Sequence, residues 1–326
     1  MFEYPKCCDW LVFHMVRDTD VIVEDYINET KIILTRSEAD FLHKLDGHTN
    51  PYAIVSDMAH GSVDQLMELF EEHELIRKSR FVSKSLLSVI YTICFIHPDR
   101  RKRMIAYFLN LLLLFSFLPV LIIGASIYAK YGDIDWDYVS AGLYAGLALG
   151  MMIHESGHAI AGLAFGARVF EAGVQMTFFL PGAYVMLDDR PVKKKMRKVQ
   201  IYAAGVEMNV LLAGITLSLA GITSDFGGFF FGIALQNLIL AGLNIIFIRG
   251  LDGEKIISEL IGKKDFVGFS AKILFHSRER KRLWSRGPQG RAATIAAFCI
   301  ALVQSALPIV LVSNLIGVVT WIADLF

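Results

Sequence analysis

Cysteine is scarce in this chain. Cys7, Cys8, Cys94 and Cys299 are the whole complement, and no Cys-x-x-Cys occurs. Adjacent Cys7 and Cys8 cannot readily bridge, so neither a disulfide framework nor a dithiol redox pair is supported, and a reducing compartment fits. A secretory signal is also missing: "MFEYPKCCDW" has no basic start followed by an apolar stretch, so the N-terminal part is expected to remain cytosolic. Net charge is absent too, with 32 basic and 32 acidic residues, but the balance averages two unlike parts. From Val21 to Glu74 acidic residues outnumber basic ones and no basic stripe marks a recognition helix. Nucleic acid is therefore excluded as an expected partner.

What the chain does have is long apolar runs. Of its 326 residues 54% are hydrophobic, the mean hydropathy is +0.48, and the apolar residues gather in blocks of about 20 or more, as in membrane-spanning helices. The blocks lie at about 104–129, 139–165, 201–222, 228–248 and 293–324. Arg100, Arg101, Lys102 and Arg103 precede the first. Lys193, Lys194, Lys195, Arg197 and Lys198 separate the second and third, and Arg278, Arg280, Lys281 and Arg282 lie between the fourth and fifth. The other two connections, "KYGDIDWD" and "SDFGG", hold one Lys and four Asp. This alternation follows the positive-inside rule. It predicts a mostly α, polytopic protein of the cell membrane with about five spans and the lipid bilayer as partner, its N-terminus cytoplasmic and its C-terminus outside. "DFVGFSAKILFHSRERKRLW" reads as an amphipathic helix on the inner leaflet. "SLLSVIYTICFI" (Ser85 to Ile96) is apolar but would span only ~18 Å as a helix, so it reads as an interfacial or re-entrant element within a linker over 81–103 and not as a sixth span.

Residues 1–80 form a separate small α+β module. "VIVEDYINETKIIL" reads as a hairpin around Asn28-Glu29. Thr35-x-x-Glu38 is a capping box opening a helix that Gly47 closes. Asn50-Pro51 suits the start of a second helix, and Ser62-x-x-Gln65 is a further capping box. Val63, Leu66, Met67 and Phe70 keep the spacing of a buried helical face. "ELIRKSRF" can return as a strand, which completes a winged-helix-like arrangement.

The second apolar block contains "MMIHESGHAI". Ionisable residues at such depth are functional by default. His154, Glu155 and His158 form H-E-x-x-H: on a helix the histidines lie one turn apart on one face and can share one Zn2+, with Glu155 beside them as general base. Gly142, Gly146 and Gly150 continue the four-residue series upstream and let another helix approach closely. Zinc needs a third protein ligand and an open position. Glu171 is the nearest acid after the motif. Asp252, in "LNIIFIRGLDGEK", is the better candidate, because it follows the fourth span directly and meets the histidines from another helix. Asp46, in the other "LDG", is explained by the end of a helix.

The chain resembles the site-2 protease family of intramembrane zinc metalloproteases, in the H-E-x-x-H helix, in "AAGVEMN" (Ala203 to Asn209) and in "NIIFIRGLDG" (Asn244 to Gly253). The resemblance implies that His154, His158 and Asp252 bind zinc, that Glu155 activates water, and that Asn209 and Asn244 lie near a bound substrate strand. It makes 104–326 a transmembrane zinc metalloprotease domain whose site opens to the cytoplasm. Val206, Phe247, Arg249 and Gly250 stand where the family commonly has other residues, proline among them. "FFLPGAYVMLDD" (Phe178 to Asp189) sits where the family places a membrane-dipping hairpin. Residues 1–80 resemble the PqqD-like peptide-binding domain, in "IILTRSEADFLHKLDGHTNPYAIV" and "SVDQLMELFEEHELI", which implies capture of a leader peptide as an added strand. Together these imply an endopeptidase that matures a modified ribosomal peptide or cuts a membrane-protein substrate, with a peptide-modifying enzyme and an exporter as further partners. The alternative is a non-catalytic membrane adaptor or immunity protein that hands a peptide to an exporter; it would have no need of Glu155.

Overall fold

The computed structural model describes residues 2–302 apart from 26–29, 55–59, 86–87, 97–98, 133–135, 178–179, 224, 247–249, 263–265, 289, 293, 296, 300 and 301. It divides into two compact units: Met1–Phe108 with Gly162–Pro191, and Leu109–Ala161 with Val192–Phe326.

In the first unit, β2 (Leu11–Met15), β3 (Asp20–Asp25) and β4 (Thr30–Thr35) form an antiparallel sheet in that order, and β1 (Lys6–Cys7) pairs with β5 (Ile76–Arg77). The expected hairpin is β3–β4, with Ile22 opposite Ile33 and Val23 opposite Ile32; its Asn28-Glu29 turn lies outside the described residues. Val21, Val23 and Asp25 are buried while their neighbours on β3 are only partly so, the two-residue period of a strand with one face on a core. Helices α1 (Arg36–Lys44), α2 (Pro51–Ile54) and α3 (His60–Glu72) follow. The Thr35 capping box is present. Thr35 Oγ1 accepts from the Glu38 amide at 3.4 Å and the Thr35 amide donates to Glu38 Oε2 at 2.7 Å, worth about 1 kcal/mol. Asn50 Oδ1 accepts from the Tyr52 amide at 3.0 Å, the expected cap of α2. Val63, Leu66 and Phe70 pack with Val23, Leu34, Leu42 and Leu45 in the core.

One expectation fails here: Ser62 lies within α3 and is not its cap. Within the stretch Ser85–Ile96, residues 86–87 lie outside the described residues and Ser88–Phe95 is β7, a strand of a four-stranded antiparallel sheet, β6 (Phe81–Ser85), β7, β8 (Arg168–Thr177) and β9 (Leu180–Asp188). The reason is visible along it. Tyr91 and Ile93 are 45% and 49% exposed while Thr92 between them is 0% exposed, and the run is rich in the β-branched and aromatic residues that strands favour. Of the stretch Phe178 to Asp189, Leu180–Asp188 is the single strand β9, which pairs with β8 before it, while Phe178 and Phe179 lie outside the described residues; neither β2 nor β8 was expected from the sequence.

The second unit is built on helices. These are α4 (Arg100–Tyr131) and α5 (Val139–Phe165), which both cross the division, with α6 (Lys195–Ile222), α7 (Gly227–Ile245), α8 (Asp252–Ile261), α9 (Phe266–Phe275) and α10 (Ser277–Trp284). Three of them, α4, α6 and α7, are long and apolar enough to cross a membrane. Helix α5 has the length of a span at 27 residues, but His154, Glu155 and His158 dilute its apolar content. The block expected at 293–324 lies almost wholly outside the described residues. Phe108, Phe115 and Ile122, seven residues apart on α4, are 67%, 73% and 64% exposed, a face suited to hydrocarbon. The amphipathic stretch expected as one helix is α9 and α10, broken at His276.

The glycine series on α5 performs as expected. Gly142 faces Phe229, Gly146 faces Ile233 and Gly150 faces Asn237. Both helices advance four residues per contact, so α5 and α7 run in the same direction with their backbones close. Helix α6 lies against α5 in the opposite sense, Gly157 meeting Ala204 and Met208.

Candidate metal centre

A rise of about 1.5 Å and a turn of 3.6 residues put His154 and His158 on one face of α5. Asp252 is the first residue of α8, where unpaired amide N–H groups favour a carboxylate. The three side chains converge. Asp252 Oδ2 lies 2.8 Å from His154 Nε2 and 3.0 Å from His158 Nε2, and the two Nε2 atoms are 3.1 Å apart. His154, His158 and Asp252 are only 7%, 7% and 5% exposed.

The donor set fits a metal ion. His158 Nδ1 lies 2.8 Å from the Ile201 carbonyl oxygen, which can only accept, so the proton sits on Nδ1 and Nε2 presents a lone pair. That lone pair faces a second imidazole nitrogen and a carboxylate oxygen. One cation between them satisfies all three, and metal bonds of 2.0–2.1 Å in tetrahedral geometry would separate such ligands by about 3.3 Å. Gly205 on α6 supplies independent support: a Cβ built there would lie 2.6 Å from His154 Nε2 and 2.6 Å from His158 Nε2. Any other residue would fill the space beside the ligand atoms. Glu155 follows His154, is partly buried, and is electrostatically coupled to His154, His158 and Asp252.

His154, His158 and Asp252 are the group able to hold a metal among the described residues; Asn209 and Asn244 are not part of it. Asn209 is one turn beyond Gly205 on α6 and 0% exposed, and neither of its amide atoms has a hydrogen-bond partner among the described residues. Asn244 donates to the Leu240 carbonyl of its own helix at 3.1 Å. The rival acids are engaged elsewhere. Glu171 pairs with Arg77 at 2.6 Å. Asp46 accepts from the His48 and Thr49 amides, both at 2.8 Å, and Asp188 pairs with Arg190 at 2.9 Å. Sequence reasoning missed Gly205, although "AAGVEMN" was singled out, and missed the Ile201 carbonyl, which leaves no side-chain signal.

Residues 142–227 match the family model described as Peptidase family M50. No curated protein and no solved structure matches the chain. The M50 match runs from within α5 to the start of α7. It takes in His154, Glu155, His158, Gly205 and Asn209, and ends before Asp252. M50 peptidases are zinc metalloproteases as a family, in keeping with the His-His-Asp cluster.

Proposed function

We propose that this chain is an intramembrane zinc endopeptidase that cleaves a membrane-associated or leader-bearing peptide. The observation that carries the reading is the meeting of His154, His158 and Asp252 at 2.8–3.1 Å with Glu155 coupled to them. These three residues would hold the ion. When bound, zinc supplies Lewis acidity that polarises a peptide carbonyl and acidifies water. Glu155 takes the proton of the attacking water on its carboxylate and returns it to the departing amine nitrogen, so it ends each cycle as it began. Gly205 leaves room beside the ligands for the scissile carbonyl. Asn209, one turn along α6 from Gly205, would lie near the bound substrate strand.

Five spans would hold the chain in the cell membrane, with the N-terminus and the mouth of the site cytoplasmic. Residues 1–80 would act as a leader-binding module. In support, β4 is an edge strand and its Ile33 is 70% exposed, as strand addition requires. The substrate would then be a modified ribosomal peptide, with a modifying enzyme and an exporter as partners.

The test is Glu155→Gln in the full chain in detergent micelles, assayed on a library of quenched fluorescent peptides. Cleavage should fall by ~10²-fold or more with zinc content unchanged. Undiminished turnover in Glu155→Gln would refute Glu155 as the general base, and no cleavage by the unaltered, zinc-loaded chain would refute the peptidase and leave the non-catalytic adaptor.

A further inference from the structure

His154 and His158 are not supported alike. The Nδ1 proton of His158 is taken by the Ile201 carbonyl. Nδ1 of His154 is buried and has no hydrogen-bond partner among the described residues. A histidine that ligates through Nε2 carries its proton on Nδ1, and leaving that donor unpaired in a buried site is costly.

A matching acceptor stands one helical turn away. Asn237 on α7 is 0% exposed, and its Nδ2 donates to the Ile233 carbonyl at 2.9 Å and the Gly146 carbonyl at 3.4 Å. Turning the amide over would set Oδ1 against two carbonyl oxygens, so its orientation is determined. Oδ1 is left buried and without a partner among the described residues. It faces Gly150, where a Cβ would lie 2.6 Å from it. Gly150 is four residues before His154, and a helical side chain leans over the turn N-terminal to its own Cα. The orphaned donor and the orphaned acceptor therefore share one turn of α5.

We propose that Asn237 is the positioning residue for His154: its Oδ1, brought against α5 by the missing side chain of Gly150, accepts the Nδ1 proton through one buried water. The water gains two strong partners, the Nδ1 proton and Oδ1, and the imidazole is held in the tautomer that aims the Nε2 lone pair at the ion. Glycine at 150 thus does more than let α5 and α7 approach, because any side chain would displace the acceptor. This inference rests on the zinc site proposed above.

The experiment uses the full chain in micelles and zinc alone, its affinity measured by competition with a chelator, beside 15N-histidine NMR of the zinc-free protein. Asn237→Leu keeps the bulk and removes the acceptor. It should weaken zinc by about 10- to 100-fold and give His154 a mixture of tautomers, while Asn237→Asp, which keeps an acceptor, should retain most of the affinity. Gly150→Ala should weaken zinc as Asn237→Leu does, and it tests the same contact should Asn237→Leu not fold. Wild-type zinc affinity in Asn237→Leu or Gly150→Ala, or equal losses in Asn237→Leu and Asn237→Asp, would overturn the assignment. Failure of the unaltered chain to bind zinc would instead refute the metal site itself.

Discussion

Replacing Glu171 by alanine removes one half of a buried ion pair, and the structure sets the expected loss. Arg77 Nη2 lies 2.6 Å from Glu171 Oε2 and 2.9 Å from Asp9 Oδ2, and the Arg77 and Glu171 side chains are 6% and 2% exposed. The other carboxylate oxygen accepts from Thr92 Oγ1 at 3.0 Å and from the Tyr184 hydroxyl at 2.9 Å. Breaking a buried pair by removing one partner costs about 3–5 kcal/mol. Asp9 stays in place to hold Arg77, which puts the value near the lower end. Thr92 and Tyr184 lie 2.9 Å apart, so one hydroxyl can still donate to the other while one proton is orphaned, adding ~1 kcal/mol.

A loss of ~3–4 kcal/mol is a large part of the usual 5–15 kcal/mol stability of a domain. Amide hydrogen exchange across the paired strands β7 and β8 reads it directly. At about 1.4 kcal/mol per tenfold, exchange at Thr92 and Ala172 should speed by ~10²-fold or more. Glu171→Gln keeps an acceptor for the hydroxyls and loses the charge, so about 1.5–3 kcal/mol should go. The double change Arg77→Met with Glu171→Leu should recover much of the deficit, since apolar pairs often replace buried ions without loss. Zinc content should not change in any of them. Exchange in Glu171→Ala as slow as in the unaltered chain would refute this account of the pair, and lost zinc would return Glu171 to candidacy as the third ligand.

Asp252→Ala should lower bound zinc and peptide cleavage together, as measured by metal analysis and the quenched-peptide assay, because two imidazoles alone hold the ion poorly. Gly205→Val should abolish cleavage and zinc binding, and Gly205→Ala should weaken both, since the added Cβ meets both Nε2 atoms at 2.6 Å; a fully loaded Gly205→Val would refute the open position. Burial pushes the Cys7 thiol up to about 12 and raises that of buried Cys8 as well, so both stay protonated and unreactive at pH 8. A maleimide should modify exposed Cys94 well before either, as peptide mapping of briefly labelled protein would read.

What was legible in the sequence was whatever has a short period or a fixed spacing. The four-residue step from His154 to His158, the Thr35–Glu38 cap, the Val63–Leu66–Phe70 face and the Gly142–Gly146–Gly150 series each depend on one helix or one turn, and each is present. Asp252 was reachable by a positional argument, since the end of one helix must meet the middle of another. Ser88–Phe95 was not legible, because a short apolar run suits a strand or a helix equally until its neighbours are known. The neighbour that decides it, β8, places Gly173 opposite Thr92, some eighty residues along. Gly205, the Ile201 carbonyl and Asn237 escaped for a different reason: none carries a side chain that announces metal chemistry.

That third group shows how the centre is built. A metal site between apolar helices needs charge in a place that resists charge, so every polar atom near it must find a partner. The Ile201 carbonyl, at the α5-facing side of α6, is within 2.8 Å of His158 Nδ1. It comes that near because Gly157 on α5 has no side chain to hold off Ala204 and Met208. On the other side, Gly146 and Gly150 admit Asn237, which spends its donor on the Gly146 carbonyl and keeps its acceptor free. Small residues on α5 therefore belong to the build of the candidate centre: Gly157 lets the Ile201 carbonyl reach His158 Nδ1, and Gly146 and Gly150 let the Asn237 amide come close to α5. A bulky substitution at Gly146, Gly150 or Gly157 would act first on the tautomers and aim of His154 and His158, and it should disturb zinc affinity even where the helices still assemble.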